Sequence, residues 1–119
     1  MFEASEGVRT AEDFYRAAML FQHGTEASDW RKARELALRA VELHPEYREA
    51  KWLAAAALDR ELIRTGKRQR YGTQYRDVGG RLELYPVDPA TTDEQRAQWG
   101  LPPLREAQEA AAQMNDERK

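Results

Sequence analysis

Apolar residues, many of them alanine, recur every three to four positions through the first half of this chain, in three segments separated by Gly24, Pro45 and Gly66. This spacing predicts three amphipathic helices, because residues three and four positions apart share one face of a helix. The chain has 119 residues, enough for one domain with a single modest core and too few for two. We therefore expect a mainly α domain whose core is built by these three helices.

Capping and stop signals set the bounds of these helices: Thr10 to Gly24, Ser28 or Asp29 to His44, and about Glu46 to Thr65. A threonine at the first position can accept a hydrogen bond from the amide of Asp13, as in a capping box. Proline disfavours helical dihedral angles in the residue before it, and glycine often ends a helix in the left-handed conformation. The predicted apolar faces carry Phe14, Ala17, Ala18 and Phe21; Ala33, Leu36, Ala37, Ala40 and Leu43; and Ala50, Leu53, Ala54, Ala57, Leu58 and Leu62.

The segment from Phe14 to Tyr47 resembles a tetratricopeptide unit. The positions that match this repeat lie in its second helix and the following turn: Ala33, Ala37, Ala40 and Pro45. The match is partial, because Phe21 and Gly24 stand where the repeat prefers a small residue and a tyrosine. Roughly three units are normally needed before a stacked array buries enough surface. The C-terminal half is therefore expected to cover this incomplete unit.

The pattern changes in the C-terminal half. Alternation with period two between residues 73 and 85, interrupted by Gly79-Gly80, predicts a β-hairpin that packs on the helices. Two further helices are expected, one opened by Thr92 and ended by Gly100, and one that starts at Pro102-Pro103. The last helix is predicted to turn Leu104, Ala107, Ala111 and Met114 inwards and to fray over residues 115–119. The predicted single domain, 1–119, comprises a helical core (10–65), a polar loop with the hairpin (66–90) and C-terminal helices (91–115).

Polar and charged side chains crowd the stretch after the third helix, Gly66-Lys67-Arg68-Gln69-Arg70-Tyr71-Gly72-Thr73-Gln74. In a tetratricopeptide-like stack the first helices of successive units lie side by side, shifted by about 34 positions. This shift places His23 beside Ala57, so Gln22-His23 and Asp59-Arg60 should lie at the same end of neighbouring helices, where the loop begins. The sequence therefore predicts one polar site that collects Gln22, His23, Asp59, Arg60, Lys67, Gln69, Tyr71, Thr73 and Gln74.

Two members of this site are candidates for catalysis. His23 is the candidate acid or base, because an unperturbed imidazole titrates near neutral pH, and Asp59 is the candidate carboxylate that orients it. The other members are candidates for binding a small anionic or amide substrate through hydrogen-bond donors: Gln22, Arg60, Lys67, Gln69, Tyr71, Thr73 and Gln74. A purely structural interpretation also stays open, since histidine and cations near helix ends complement the helix dipole and Asp-Arg pairs often form salt bridges.

These motifs resemble those of a bacterial domain family without an assigned activity. That family carries a Gln-His pair, an Asp-Arg pair, a Gly-Lys-x-Gln-x-Tyr-Gly-Thr-Gln stretch, a Pro-x-x-Asp-Pro turn and Gly-Leu-Pro-Pro-Leu. The matching parts of this chain are Gln22-His23, Asp59-Arg60, residues 66–74 and Gly100-Leu101-Pro102-Pro103-Leu104, so the resemblance covers roughly Phe14 to Glu106. The turn departs from the pattern, because Pro86-Val87-Asp88-Pro89 is one residue shorter. The resemblance implies a site at these motifs and does not imply a particular chemistry.

Composition argues against several functional classes. A net charge of −2 with both signs interspersed argues against bulk attraction to nucleic acid or acidic membranes. The chain has no cysteine, so disulfides, thiolate nucleophiles and thiolate metal ligands are excluded. Two distant histidines and the absence of a Walker-type or dinucleotide glycine pattern lead us to expect no metal and no cofactor. The start lacks the pattern of a signal peptide and no apolar run reaches membrane-spanning length, so we expect a cytoplasmic protein.

Two classes of function remain from the sequence. The first is an acid–base enzyme acting on a small anionic or amide substrate. The second is an interaction module without catalysis, in which a tetratricopeptide-like groove lined by Tyr15, Gln22, Trp52 and Asp59 holds a peptide.

Overall fold

The computed structural model describes residues 10–117, so the predicted domain limits at 1 and 119 lie outside the described residues. Along the chain it contains α1 (Ala11–Gln22), α2 (Ala27–Leu43), α3 (Arg48–Arg64), β1 (Tyr75–Val78), β2 (Arg81–Leu84), α4 (Asp93–Gln98) and α5 (Leu104–Glu117). The two strands form one antiparallel hairpin. This architecture confirms the predicted fold class, a mainly helical protein with a hairpin and C-terminal helices.

The first two helices begin with reciprocal caps. Thr10 accepts a hydrogen bond from the amide of Asp13 at 3.1 Å, as the sequence predicts, and the Asp13 carboxylate accepts the Thr10 amide in return. Helix α2 begins at Ala27, slightly before the predicted Ser28 or Asp29, because Glu26 is its N-cap. Each cap satisfies amides that have no partner inside the helix.

The core lies where α2 packs against both α1 and α3. Most of its members are alanines, and their small side chains allow the helix backbones to approach closely: Ala17, Ala18, Ala33, Ala37, Ala40, Ala50 and Ala54, together with Phe14, Leu36 and Leu53. Three large residues of these helices depart from this arrangement, the most exposed being Leu20 of α1 at 67%. Leu43, predicted to lie on the apolar face of α2, is 54% exposed, and Trp52 of α3 is 45% exposed.

The end of α3 fixes where the polar loop begins. Gly66 has a φ of +80°, and its amide donates to the carbonyl of Ile63 while the amide of Lys67 donates to the carbonyl of Leu62. This pair of bonds is a Schellman motif, which needs the left-handed conformation that glycine adopts at little cost. The chain therefore turns back over the last turns of α3 as soon as the helix ends.

The hairpin turns at Gly79-Gly80, whose φ angles of +59° and +87° are those of a type I′ turn. Helix α5 covers the free edge of β2. Its Asn115 accepts a hydrogen bond from the amide of Leu82 at 2.6 Å and donates one to the carbonyl of Leu82 at 2.8 Å. Asn115 is buried within α5, whereas Met114 is 41% exposed. The predictions that the helix frays from residue 115 and that Met114 faces inwards are therefore wrong over the described part; residues 118 and 119 lie outside it.

Candidate functional site

Asp59 is fully buried near the end of α3 and binds the polar loop. Its Oδ1 accepts the amides of Arg70 and Tyr71 at 2.7 and 3.0 Å. Its Oδ2 accepts the amide and the hydroxyl of Thr73 at 3.1 and 2.7 Å. These four charge-assisted hydrogen bonds use the carboxylate as an anchor for the backbone of residues 70–73.

The structure does not assemble the predicted acid–base pair. His23 is the exposed C-cap residue of α1. Among residues 10–117, neither a hydrogen bond nor an ion pair joins its side chain to Asp59. A carboxylate with four donors and no exposure has no path to a substrate proton. Asp59 therefore positions the loop, in place of the predicted catalytic role.

Gln69, predicted to bind ligand, instead closes the loop from inside. It is fully buried, and its side-chain amide donates to the carbonyls of Gln74 and Tyr85 at 3.0 and 2.9 Å. Its Oε1 accepts the amide of Gln74 at 2.9 Å. The same residue forms an isolated parallel bridge with Val87 through its backbone. With every polar atom of the side chain bonded to the backbone, Gln69 has no group left for a ligand.

The first and third helices do meet at the predicted end. Arg60 donates from Nη1 to the carbonyl of Gln22 at 2.6 Å, and its guanidinium carbon lies 4.7 Å from the centroid of the Trp30 ring. Gln22 is buried, and its Oε1 has no hydrogen-bond partner among residues 10–117. The repeat-based prediction therefore brings Gln22 and Arg60 together, while it leaves His23 and Asp59 apart.

The structure also reveals a buried cation that sequence reasoning missed. Arg96 of α4 is only 3% exposed. It donates from Nε to the carbonyl of Tyr71 at 3.2 Å, and from Nη1 to the carbonyl of Thr91 and the carboxylate of Asp93 at 3.2 and 2.9 Å. Asp93 in turn accepts the amide of Leu104, so these bonds connect the loop, α4 and the start of α5. No local pattern marks Arg96, because an arginine on a short polar helix is typical of a solvated surface.

Two clefts open on either side of the loop. The first, which we call the arginine cleft, has a volume of about 330 Å³ and lies between α3 and the hairpin. Its walls include Trp30, Arg60, Arg64, Gln74, Tyr75 and Tyr85. The second, which we call the proline cleft, has a volume of about 350 Å³ and lies between α3, the loop and α5. Its walls include Trp52, Thr73, Tyr75, Arg96, Leu101 and Pro102.

The remaining residues of the predicted site separate between these clefts. Gln74 lines the arginine cleft and donates to the Thr73 hydroxyl at 3.1 Å. Tyr71 and Thr73 line the proline cleft. Lys67 is exposed at the Schellman motif, where its cation complements the helix dipole. In place of the single site that the sequence predicts, the structure has two clefts with the hydrogen-bonded loop between them.

Tyr75 lines both clefts, and its hydroxyl donates to the carbonyl of Ala107 in α5 at 3.1 Å. Burial raises the pKa of Tyr75 above its ordinary value of 10.0, because it removes more solvation from the charged phenolate than from the neutral phenol. The side chain therefore stays neutral and keeps its hydrogen bond throughout the physiological pH range.

The four residues predicted to line a peptide groove do not share one exposed surface. Of the four side chains expected to line it, Gln22 and Asp59 are buried, Tyr15 is half-buried against Tyr47, and Trp52 is exposed at the proline cleft. Over 10–117 the structure shows no cluster of three or more His, Asp or Glu side chains that would suit a metal ion. Within the same range, every helix is too short or too polar to span a bilayer.

Comparisons with protein-family models, with curated proteins and with solved structures give no match. The resemblance to a bacterial domain family, and to a tetratricopeptide unit, therefore stays a prediction from the motifs themselves.

Proposed function

We propose that this protein binds a small anionic molecule that carries a flat, unsaturated or aromatic group, and that it does so in the arginine cleft. The observation that carries the proposal is the pair of guanidinium groups on one aromatic side chain: Arg60 and Arg64 lie 4.7 and 5.7 Å from the centroid of the Trp30 ring. Both arginines line the same cleft as the amide of Gln74.

The donors of these arginines are only partly used. Arg60 gives Nη1 to the carbonyl of Gln22, and its Nε and Nη2 have no acceptor within residues 10–117. Arg64 gives Nη1 to the carbonyl of Thr25 at 3.0 Å, and its Nη2 lies a loose 4.0 Å from the exposed carboxylate of Glu26. Guanidinium groups with free, coplanar N–H donors are suited to phosphate and carboxylate groups.

The other walls of the cleft favour a flat ligand. The Trp30 ring is buried beneath the two guanidinium groups and is held by a hydrogen bond from Nε1 to the carbonyl of Gly24 at 3.2 Å, so the aromatic side chains left for a ligand are Tyr75 and Tyr85. No carboxylate belongs to the described lining residues, so an anion in the cleft meets two cations, of which Arg64 has the exposed Glu26 carboxylate at its outer side. A volume of about 330 Å³ is at the lower end of the range for small-molecule sites.

Binding alone is proposed. The acid–base mechanism predicted for His23 and Asp59 does not enter it, because the Asp59 carboxylate is occupied by the loop. The loop, held by its hydrogen bonds to Asp59 and Gln69, instead presents Gln74 to the ligand with its backbone already in place, which lowers the entropic cost of binding.

The test is a calorimetric titration of the full chain with phenyl phosphate and with inorganic phosphate. Phenyl phosphate should bind more tightly, since its ring can contact the aromatic walls in addition to the arginines. Arg64→Gln should weaken binding of phenyl phosphate by at least about tenfold, the value of one charge-assisted hydrogen bond. Its melting temperature should change little, because the Arg64 side chain is about half exposed.

The matched control is Arg68→Gln, which removes the same charge from an exposed loop position. This variant should bind phenyl phosphate with nearly wild-type affinity. An equal loss in the two variants would show that only overall charge matters and would overturn the proposal. So would the absence of phenyl phosphate binding to the wild-type chain at millimolar concentrations.

A further inference from the structure

The proline cleft has its own buried cation, Arg96, which forms an ion pair with Asp93 and keeps one nitrogen without a partner among the described residues. Arg96 lines this cleft and is almost completely buried, and its Nε and Nη1 are bonded to Tyr71, Thr91 and Asp93. The two N–H groups of Nη2 have no acceptor within residues 10–117. A guanidinium group that is fixed on two of its nitrogens and free on the third is oriented for an external acceptor.

The rest of the cleft is mainly apolar. Trp52 of α3 forms one wall and is 45% exposed, although a large aromatic side chain is ordinarily mostly covered. Leu101 and Pro102 form another part, and Ala110 of α5 contributes a small side chain that leaves the cleft open. The other charged lining residue is Glu106, which is exposed.

We propose that the proline cleft binds a small monocarboxylic acid with an aromatic or hydrocarbon body. The carboxylate accepts hydrogen bonds from Nη2 of Arg96, and the body packs against Trp52 and Leu101. A carboxylate is favoured over a neutral carbonyl because its hydrogen bond to the free Nη2 donor is charge-assisted, while Asp93 remains paired with Nη1. A compact acid is favoured by the volume of about 350 Å³.

The probe is 4-phenylbutyrate, and its matched neutral analogue is 4-phenylbutanamide. The acid should bind at least about tenfold more tightly than the amide, which is the expected effect of one charge-assisted hydrogen bond. Binding should shift the nuclear magnetic resonance signals of the Arg96 Nε–H and the Trp52 indole. Equal affinities for acid and amide, or no binding of the acid to the wild-type chain, would overturn the proposal.

Cavity-filling variants locate the site without removing Arg96, which also supports the fold. Ala110→Phe places a ring in the cleft and should abolish binding of 4-phenylbutyrate. Ala112→Phe places the same ring on the exposed side of the same helix and should retain binding. If Ala110→Phe bound the acid as well as Ala112→Phe does, the proposal would be overturned.

Two further arms separate this site from other sources of binding. Arg64→Gln, which alters the arginine cleft, should bind 4-phenylbutyrate with wild-type affinity. A loss of binding confined to that variant would place the acid in the arginine cleft and overturn its assignment to the proline cleft. A ten-residue peptide ending in phenylalanine with a free carboxylate should bind no more tightly than the small acid. Tighter binding of the peptide would identify a peptide C-terminus as the occupant and would also overturn it.

Discussion

Replacing Asp59 with asparagine keeps the size of the side chain and changes one oxygen into an N–H₂ group. Oδ1 can still accept the amides of Arg70 and Tyr71, but Nδ2 then faces the amide of Thr73, formerly 3.1 Å from Oδ2. The Thr73 hydroxyl can rotate and accept a hydrogen bond from Nδ2, but Nδ2 and the Thr73 amide are both donors and cannot bond to each other. Losing a hydrogen bond to a charged group costs about 1.5–3 kcal/mol, and leaving a buried donor without an acceptor costs about 1–3 kcal/mol. The two values partly describe the same loss, so they are not added in full.

We therefore expect Asp59→Asn to lower the free energy of unfolding by about 2–4 kcal/mol, a large part of the roughly 5–15 kcal/mol typical of a whole domain. The melting temperature should fall by about 10–20 °C for a domain of this size. Urea unfolding measures the free energy, and hydrogen exchange locates the effect. The amide of Thr73 should exchange much faster, whereas the amide of Gln74, which donates to Gln69, should change less.

The matched control is Glu49→Gln on the exposed surface of the same helix, which should change the free energy of unfolding by less than about 0.5 kcal/mol. If Asp59→Asn were no more destabilising than this control, or if exchange at Thr73 were unchanged, the anchoring role of the carboxylate would be refuted.

Three further outcomes are expected. Asn115→Ala removes both hydrogen bonds to Leu82 and should lower the free energy of unfolding by about 1–2 kcal/mol in urea, with Gln113→Ala on the exposed face of α5 nearly neutral. Gly72→Ala should cost about 1–2 kcal/mol by the same assay, because Gly72 has a φ of +88° and a β-carbon there would lie 3.4 Å from Leu104. Because the pKa of Tyr75 is raised in the folded state, its contribution to stability is complete below pH 10 and is lost as the pH rises through the folded pKa. Tyr75→Phe should therefore lose less stability than the wild type between pH 9 and pH 11, roughly one pKa unit to either side of the ordinary value. Thermal unfolding at each pH measures this difference.

The sequence predicts the helices well because their signals are local. Thr10 and Gly66 sit at caps whose chemistry depends on a few neighbouring residues, and the 3.6-residue period marks the faces that become buried. The hairpin is predictable for the same reason, since Gly79-Gly80 suits the turn that joins two strands.

The site was harder to predict because its meaning depends on packing between distant segments. Asp59 is attractive as a catalytic carboxylate, yet its partners are mostly backbone amides, which every sequence contains. The roles of Arg96 and Asn115 arise only when α4 and α5 dock onto the loop and the hairpin. No spacing rule connects those segments, so the two clefts follow from the structure alone.

The position of Asp59 beneath the loop has a consequence for how variants of this protein will behave. A ligand that needs the closed loop binds with an apparent dissociation constant equal to the intrinsic one divided by the closed fraction. If a substitution at Asp59 left the loop closed one-tenth of the time, apparent affinity would fall about tenfold although every ligand contact was intact. A residue that never touches the ligand would then look like a binding residue in any affinity measurement, and only the exchange rates of the loop amides would reveal the difference.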